Sequence, residues 1–251
     1  MRLGAILGPI ADAANPRALA DQAHALEAEG YASLWSVQAI GRGFMITDPW
    51  IALAVAATST RDVELGTAVV QLPLYQPLDL AHRVLSLRQV CGPRLILGVG
   101  AGSTVQDFQA FGRDYDGRFT TFHEHLRVLR EVLVSGAHGG VALSPWAEVL
   151  APMPLFLGSW GNGVVRAARQ FDGWIASANY RTADEVITAL GRYRAAGGRR
   201  AVVSTIQVPA RADLAALGDK LQRFAAAGFD DAVVLFQPGA PSAAAVRRLL
   251  D

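Results

Sequence analysis

Along the chain, short runs of Val, Ile and Leu alternate with longer stretches in which apolar residues recur three and four positions apart. Parallel β/α units produce this alternation of periods. The apolar runs predict strands over residues 3–8, 33–37, 63–70, 94–99, 154–158, 173–178, 201–208 and 231–236. The periodic stretches predict helices over 16–29, 49–58, 78–90, 120–133, 163–171, 183–195, 213–226 and 242–250. Eight strands, each followed by a helix, give an α/β fold: a single (β/α)8 TIM barrel, one domain over residues 1–251. The strands are apolar almost throughout, as expected when the barrel interior covers one face and helices the other.

Punctuation agrees with the periods. Asn15-Pro16 opens the first helix and Gly30 closes it, Asp48-Pro49 opens the second, and Gly228 closes the seventh. The irregular stretch 135–153, with Gly136, Gly139, Gly140, Pro145 and Pro152, reads as an excursion between the fourth helix and the fifth strand, either a surface loop or a pocket wall.

Composition narrows the partners. Hydrophobic residues at 51% and charged residues at 18% supply a sizeable core and too little charge for a disordered chain. With 23 basic against 22 acidic residues and a net charge of +1, no strong field would draw in nucleic acid or an anionic membrane. The longest apolar run, around residues 51–57, is far short of the roughly 20 residues that span a bilayer. Pro9 and Asp12 break the opening MRLGAILGPIADAANP too early for a secretory signal, so a cytoplasmic location is expected. The single cysteine, Cys91, reads as a small buried thiol.

Candidate chemistry gathers after two strands. In Leu97-Gly98-Val99-Gly100-Ala101-Gly102-Ser103, glycines let a backbone approach a flat or charged ligand closely, which marks Gly100, Ala101 and Gly102. A dinucleotide fingerprint would need a third glycine where Ser103 stands. In Gly158-Ser159-Trp160-Gly161-Asn162-Gly163, free amides at a helix start beside a serine hydroxyl form an anion site, so Ser159, Trp160, Gly161, Asn162 and Gly163 are expected near a phosphate. His123-Glu124-His125 lacks the four-residue histidine spacing of a zinc helix and reads as a solvated outer face. His82 also falls inside a helix, and no metal site is expected.

No Gly-x-Ser-x-Gly elbow is present and no histidine follows a strand end, so nucleophilic catalysis is not expected. The strand-end carboxylates are Asp12 and Asp48, the latter placed to cap a helix. An enzyme so short of acids and bases borrows its chemistry from a cofactor.

The order of these segments resembles the luciferase-like monooxygenase superfamily of flavin- and deazaflavin-dependent barrels. The resemblance runs through Glu27-Ala28-Glu29-Gly30-Tyr31 with Ser33-Leu34-Trp35, Leu65-Gly66-Thr67-Ala68-Val69, the stretch from Pro77 to Gln89, and Arg94 to Gly102. It continues through Asp107 to Gly112 with Arg118-Phe119, the turn from Gly158 to Gly163, and Phe171-Asp172-Gly173-Trp174. It implies a ring across the barrel mouth, a phosphate at the fifth turn, and a non-proline cis peptide near Ala68-Val69 against the ring. It also implies a homodimer.

Two departures stand out. After the second strand the chain reads Trp35-Ser36-Val37-Gln38-Ala39, with no imidazole where many members have a histidine, so no catalytic residue is assigned. Ala101 stands where some FMN-binding members have an arginine.

The resemblance implies an oxidoreductase moving a hydride between the ring and a small organic substrate. Gln38, Phe44, Gln71 and Tyr180, each close after a strand, are the candidates for the substrate side, with plain rim packing as the alternative. Coenzyme F-420 is placed ahead of FMN, because of the absent arginine and the Ala-, Gly- and Arg-rich composition; FMN would make the enzyme a monooxygenase. Two other readings stay open. One is a degenerate barrel that binds without turnover. The other is a phosphate-substrate isomerase or aldolase, against which stands the lone lysine, Lys220, far from any strand.

Overall fold

The computed structural model describes residues 1–8, 14–43 and 45–250. Asp12 and Phe44 lie outside the described residues. Eight parallel strands form the centre: β1 (Arg2–Ile6), β2 (Ser33–Ser36), β3 (Glu64–Thr67, resuming at Val70–Gln71), β4 (Leu95–Gly100), β5 (Leu155–Gly158), β6 (Gly173–Ser177), β7 (Arg200–Val208) and β8 (Asp231–Phe236). Their order is β3-β2-β1-β8-β7-β6-β5-β4, and pairing of Leu65 with Leu95 and Gly66 with Ile96 closes the ring. The predicted eightfold barrel is the observed fold.

Around it run α1 (Ala18–Ala28), α2 (Pro49–Ser59), α3 (Pro77–Cys91), α4 (Val105–Ala110), α5 (Arg118–Ser135), α6 (Gly163–Gln170), α7 (Ala183–Ala195), α8 (Leu214–Ala227) and α9 (Ala243–Arg247). Asp48 caps α2 as expected, accepting from the Trp50 amide at 2.9 Å. Thr182 and Glu185 form a reciprocal capping box on α7. α4 is an addition that hydrophobic period did not reveal, since its six residues complete fewer than two turns. The excursion 135–153 holds a two-stranded hairpin, Ala137–His138 with Val141–Ala142, whose residues are half-buried or exposed.

Side chains alternate between two cores. Ile6, Trp35, Ile96, Phe156, Ile175, Val202 and Val233 fill the barrel interior. The other strand face packs against the helices through residues such as Leu34, Leu65, Leu97 and Val203. Each fully buried side chain of this kind stabilises the fold by about 1.5–3 kcal/mol. Cys91 is buried, and burial pushes its thiol up to about 11, so it stays protonated and inert at neutral pH.

The predicted third strand, continuous over 63–70, is interrupted. The ladder to β4 lapses at the 67–68 junction, and the Thr67 side chain replaces it: Oγ1 donates to the Gly98 carbonyl at 2.7 Å and accepts from the Gly98 amide at 2.9 Å. Val70 and Gln71 then resume pairing with Val99 and Gly100. A second irregularity lies in β7, where Thr205 has φ 60° and the register to β8 shifts between Val203 and Ile206. Bulges of this kind re-aim side chains at barrel rims.

The two ends of the barrel differ in kind. At the N-terminal end, Arg200 donates to both Glu64 oxygens at 2.9 and 2.6 Å and to Asp231 Oδ2 at 2.7 Å. Arg2 adds contacts to Asp231 Oδ1 at 2.7 Å and to Glu64 at 3.0 Å. Four strands are thus joined by paired charges. The C-terminal end carries the cavity.

Candidate active site

The interruption in β3 begins the site. The Ala68-Val69 bond is cis, at the position where the family resemblance put a non-proline cis peptide. The Val69 side chain lies between β4 and β5. A Cβ added to Gly100 would lie 2.8 Å from Val69 Cγ2, and one added to Gly158 would lie 2.7 Å from Val69 Cγ1. Glycine at those strand ends therefore makes room for a branched side chain rather than for a turn.

Beside Val69 opens a cavity of about 560 Å³. The structure brings to it Ala68 and Val69 from β3, Gly100, Ala101 and Gly102 from the end of β4, and Ser159, Trp160, Asn162 and Gly163 from the turn into α6. Gly161 of the same turn does not line it; it faces solvent, and its carbonyl accepts from Arg192 Nη2 at 2.8 Å. Trp160 packs edge-on against the buried Trp174, whose Nε1 donates to the Ser159 carbonyl at 2.9 Å and so fixes the turn. Two buried polar atoms in the lining have no protein partner: Ser159 Oγ and Arg118 Nε.

The cavity's charge comes from helices. Arg118, Phe119, Phe122 and His123 of α5 and Arg166 of α6 line it, and no acidic residue does so among the described residues. His123 is exposed, as the solvated-face reading expects, and it also stands at the cavity rim, where Arg166 Nη1 donates to its Nε2. Positions 118, 119, 122 and 123 recur three and four apart, the spacing that places residues on one helix face. That spacing was the available signal, but without α4 the phase of α5 against the barrel was unset. Arg118 is held by its Nη1 bond to the Tyr115 carbonyl at 2.8 Å and lies 3.8 Å over the Tyr115 ring. The other missed residues, Ser177 of β6 and Ser204 of β7, are register partners that add hydroxyls to the floor.

Three of the substrate-side candidates, Gln38, Gln71 and Tyr180, do not line this cavity. Tyr180 is 88% exposed and does not line it. Gln38 and Gln71 are buried in a network: Gln38 Oε1 accepts from the Gln71 amide at 2.8 Å, and Gln38 Nε2 donates to the Tyr75 hydroxyl at 2.8 Å. Gln71 Nε2 donates to Asp107 Oδ2 at 2.7 Å. Asp107, fully buried, also accepts from the Ile40 amide at 3.1 Å and from both Nε and Nη2 of Arg42. Burial alone would push the Asp107 carboxyl up, but the bonds from Arg42, Gln71 and Ile40 outweigh it and hold it below its ordinary value. Burial pushes the Tyr75 hydroxyl up to about 12, so it remains a neutral donor and acceptor. Gln38 and Gln71 thus fasten the segment after β2 to β3 and α4.

A closed parallel barrel with a glycine-edged cavity at the C-terminal ends of its strands defines the class of β/α barrels that carry their site at that face. The chain matches the family of luciferase-like monooxygenases over residues 3–248 and belongs to that family. It is 34% identical to the 4-hydroxyprotoasukamycin monooxygenase of Streptomyces nodosus subsp. asukaensis over 125 residues, 49% of this chain and 33% of that one. The chain thus spans about a third of that relative's length.

Two solved structures share the fold. The coenzyme F-420-dependent tetrahydromethanopterin reductase from Methanopyrus kandleri matches with a TM-score of 0.76 at 16% identity, over 99% of this chain and 96% of the other. The oxygenating constituent of 3,6-diketocamphane monooxygenase from Pseudomonas putida, solved with FMN, matches with a TM-score of 0.68 at 18% identity, over 83% and 67%.

Proposed function

We propose that this protein is an oxidoreductase that uses a flavin-type coenzyme, F-420 or FMN, to move a hydride to or from a small organic substrate. The observation that carries the reading is the cavity itself: a glycine-edged space beside Val69 whose lining includes two arginines and the unpartnered Ser159 Oγ. Those groups fit a phosphate, and the apolar lining fits a ring. Ala68, Val69, Gly100, Ala101 and Gly102 would flank the ring; Ser159, Asn162, Gly163 and the two arginines would hold the phosphate. The bound coenzyme supplies hydride transfer; the protein orients it and shields it from water.

Family membership supports this reading over an isomerase or aldolase. The arginine absent at Ala101 argues less against FMN than its position suggests, since Arg118 and Arg166 bring charge to the same cavity from α5 and α6. No helix among the described residues is long and apolar enough to cross a membrane; a cytoplasmic homodimer is part of the proposal.

Separate titrations with FMN and F-420, followed by fluorescence quenching, test it. Binding of one at micromolar concentration is expected, and binding of neither overturns the reading. Gly163→Val should weaken binding at least tenfold, because a Cβ there would already lie 2.7 Å from Ser159 Cβ. Unchanged affinity would put the phosphate elsewhere.

A further inference from the structure

His123 and Arg166 are an unusual pair: two basic side chains bonded to each other at the mouth of a cavity. Arg166 Nη1 donates to His123 Nε2, so that nitrogen carries no proton and the imidazole is neutral with its hydrogen on Nδ1. Arg166 has no carboxylate partner among the described residues. The charged residues lining the cavity with them are limited to Arg118 of α5; the turns after β4 and β5 contribute none. On α5 itself the neighbouring charges are Glu124 and Arg127. A guanidinium that spends a donor on a neutral imidazole is waiting for a better acceptor.

We infer that His123 and Arg166 form a proton-linked clamp for the phosphate of the bound coenzyme. When the phosphate enters, Arg166 turns its Nη1 donor from the imidazole to a phosphate oxygen. The freed Nε2 takes one proton from solvent, forming an N–H bond and making His123 a second cation on the ligand. The inference rests on the reading of this cavity as the phosphate end of a coenzyme site.

The sign of the linkage follows from the surroundings. In the free protein, burial and then the Arg166 charge hold His123 below its ordinary value. A phosphate charge beside it acts in the opposite direction and favours imidazolium. Between the free and bound values, binding takes up a proton and affinity rises as pH falls, by up to about tenfold per pH unit. The cations at this end would then come from α5 and α6, and one of them would appear only when needed.

Calorimetric titration of the full chain with FMN at pH 7.5, in buffers of different ionisation enthalpy, reads the proton directly. At that pH a phosphate monoester, whose second ionisation lies near pH 6, is already a dianion, so the proton is not the ligand's own. Measurable net proton uptake is expected for the unaltered protein, and none for riboflavin, which lacks the phosphate. His123→Asn should abolish the uptake, flatten the pH dependence of Kd and weaken FMN most at the acid end; Arg166→Gln should weaken FMN at least tenfold. If F-420 binds in place of FMN, the same readout applies with a phosphodiester, and the uptake is expected to be smaller.

The His123 ring titration followed by NMR needs no variant: its midpoint should rise by more than one pH unit on binding. Coenzyme binding with no His123-dependent uptake and no movement of that midpoint overturns the clamp and leaves the coenzyme reading standing. Binding of neither coenzyme overturns both.

Discussion

Asp107 meets four donors from two separate segments: the Ile40 amide and two nitrogens of Arg42 after β2, and Gln71 Nε2 at the end of β3. Hydrogen bonds to a charged group contribute about 1.5–3 kcal/mol each, and Arg42, partly exposed, recovers some hydration if released. Asp107→Asn turns a donor toward these donors and should destabilise the protein by about 2–4 kcal/mol, read by urea denaturation. The sign with pH is set by a carboxyl held below its ordinary value: its contribution is present above about pH 4, the unfolded value, and lost as pH falls through the folded one. The variant's stability curve should therefore fall less steeply below pH 4 than that of the unaltered protein. This hub holds Gln38 and Gln71, the two residues expected on the substrate side. Position after a strand end was legible, but the direction of each amide is decided by partners 33 and 36 residues away in the chain.

Between strands, the decisive contact is Val69 against Gly100 and Gly158. Gly158→Ala places a methyl group 2.7 Å from Val69 Cγ1, an overpacking that costs about 1–3 kcal/mol and shifts Val69 into the cavity. Coenzyme affinity should fall with stability. Adding Val69→Ala should restore part of both, and a double-mutant cycle on denaturation and on FMN binding measures the coupling, expected at about 0.5–3 kcal/mol. Strictly additive effects would separate these residues. Gly100 was read as a place where backbone nears ligand, Gly158 only as the start of a turn, and both edge the cavity. Their steric reason was hidden, because it depends on β3 breaking its ladder and on Thr67 bridging the gap with its hydroxyl.

Across the barrel, binding and cohesion occupy opposite strand ends. On β7, Arg200 begins the strand in the ion network and Ser204 lines the cavity four residues later, about 13 Å along an extended chain. Burial would push Glu64 up, but the pairing with Arg200 and Arg2 outweighs it and holds its carboxyl low. Removing one partner of such a cluster costs about 3–5 kcal/mol. Arg200→Met should lower unfolding stability by that amount and leave the Kd for FMN within about twofold, since nothing at the cavity is touched. A large loss of affinity would show that the two ends are coupled. The eight strands were legible because their period is local and their burial two-sided; the helix faces that supply Arg118, His123 and Arg166 were not, since helix phase is set by packing against the whole ring.

The Asp107 hub also bears on how this barrel could be rebuilt from relatives. A chimera that imports the segment after β2 from another member brings a new residue 42 to an acid it did not evolve beside. One that imports α4 removes the acid from Arg42 and Gln71 alike. The segment around residues 38–42, the β3 end at Gln71, and α4 must therefore be exchanged as one discontinuous unit, and α6, whose Arg166 meets His123, travels with α5 as a second.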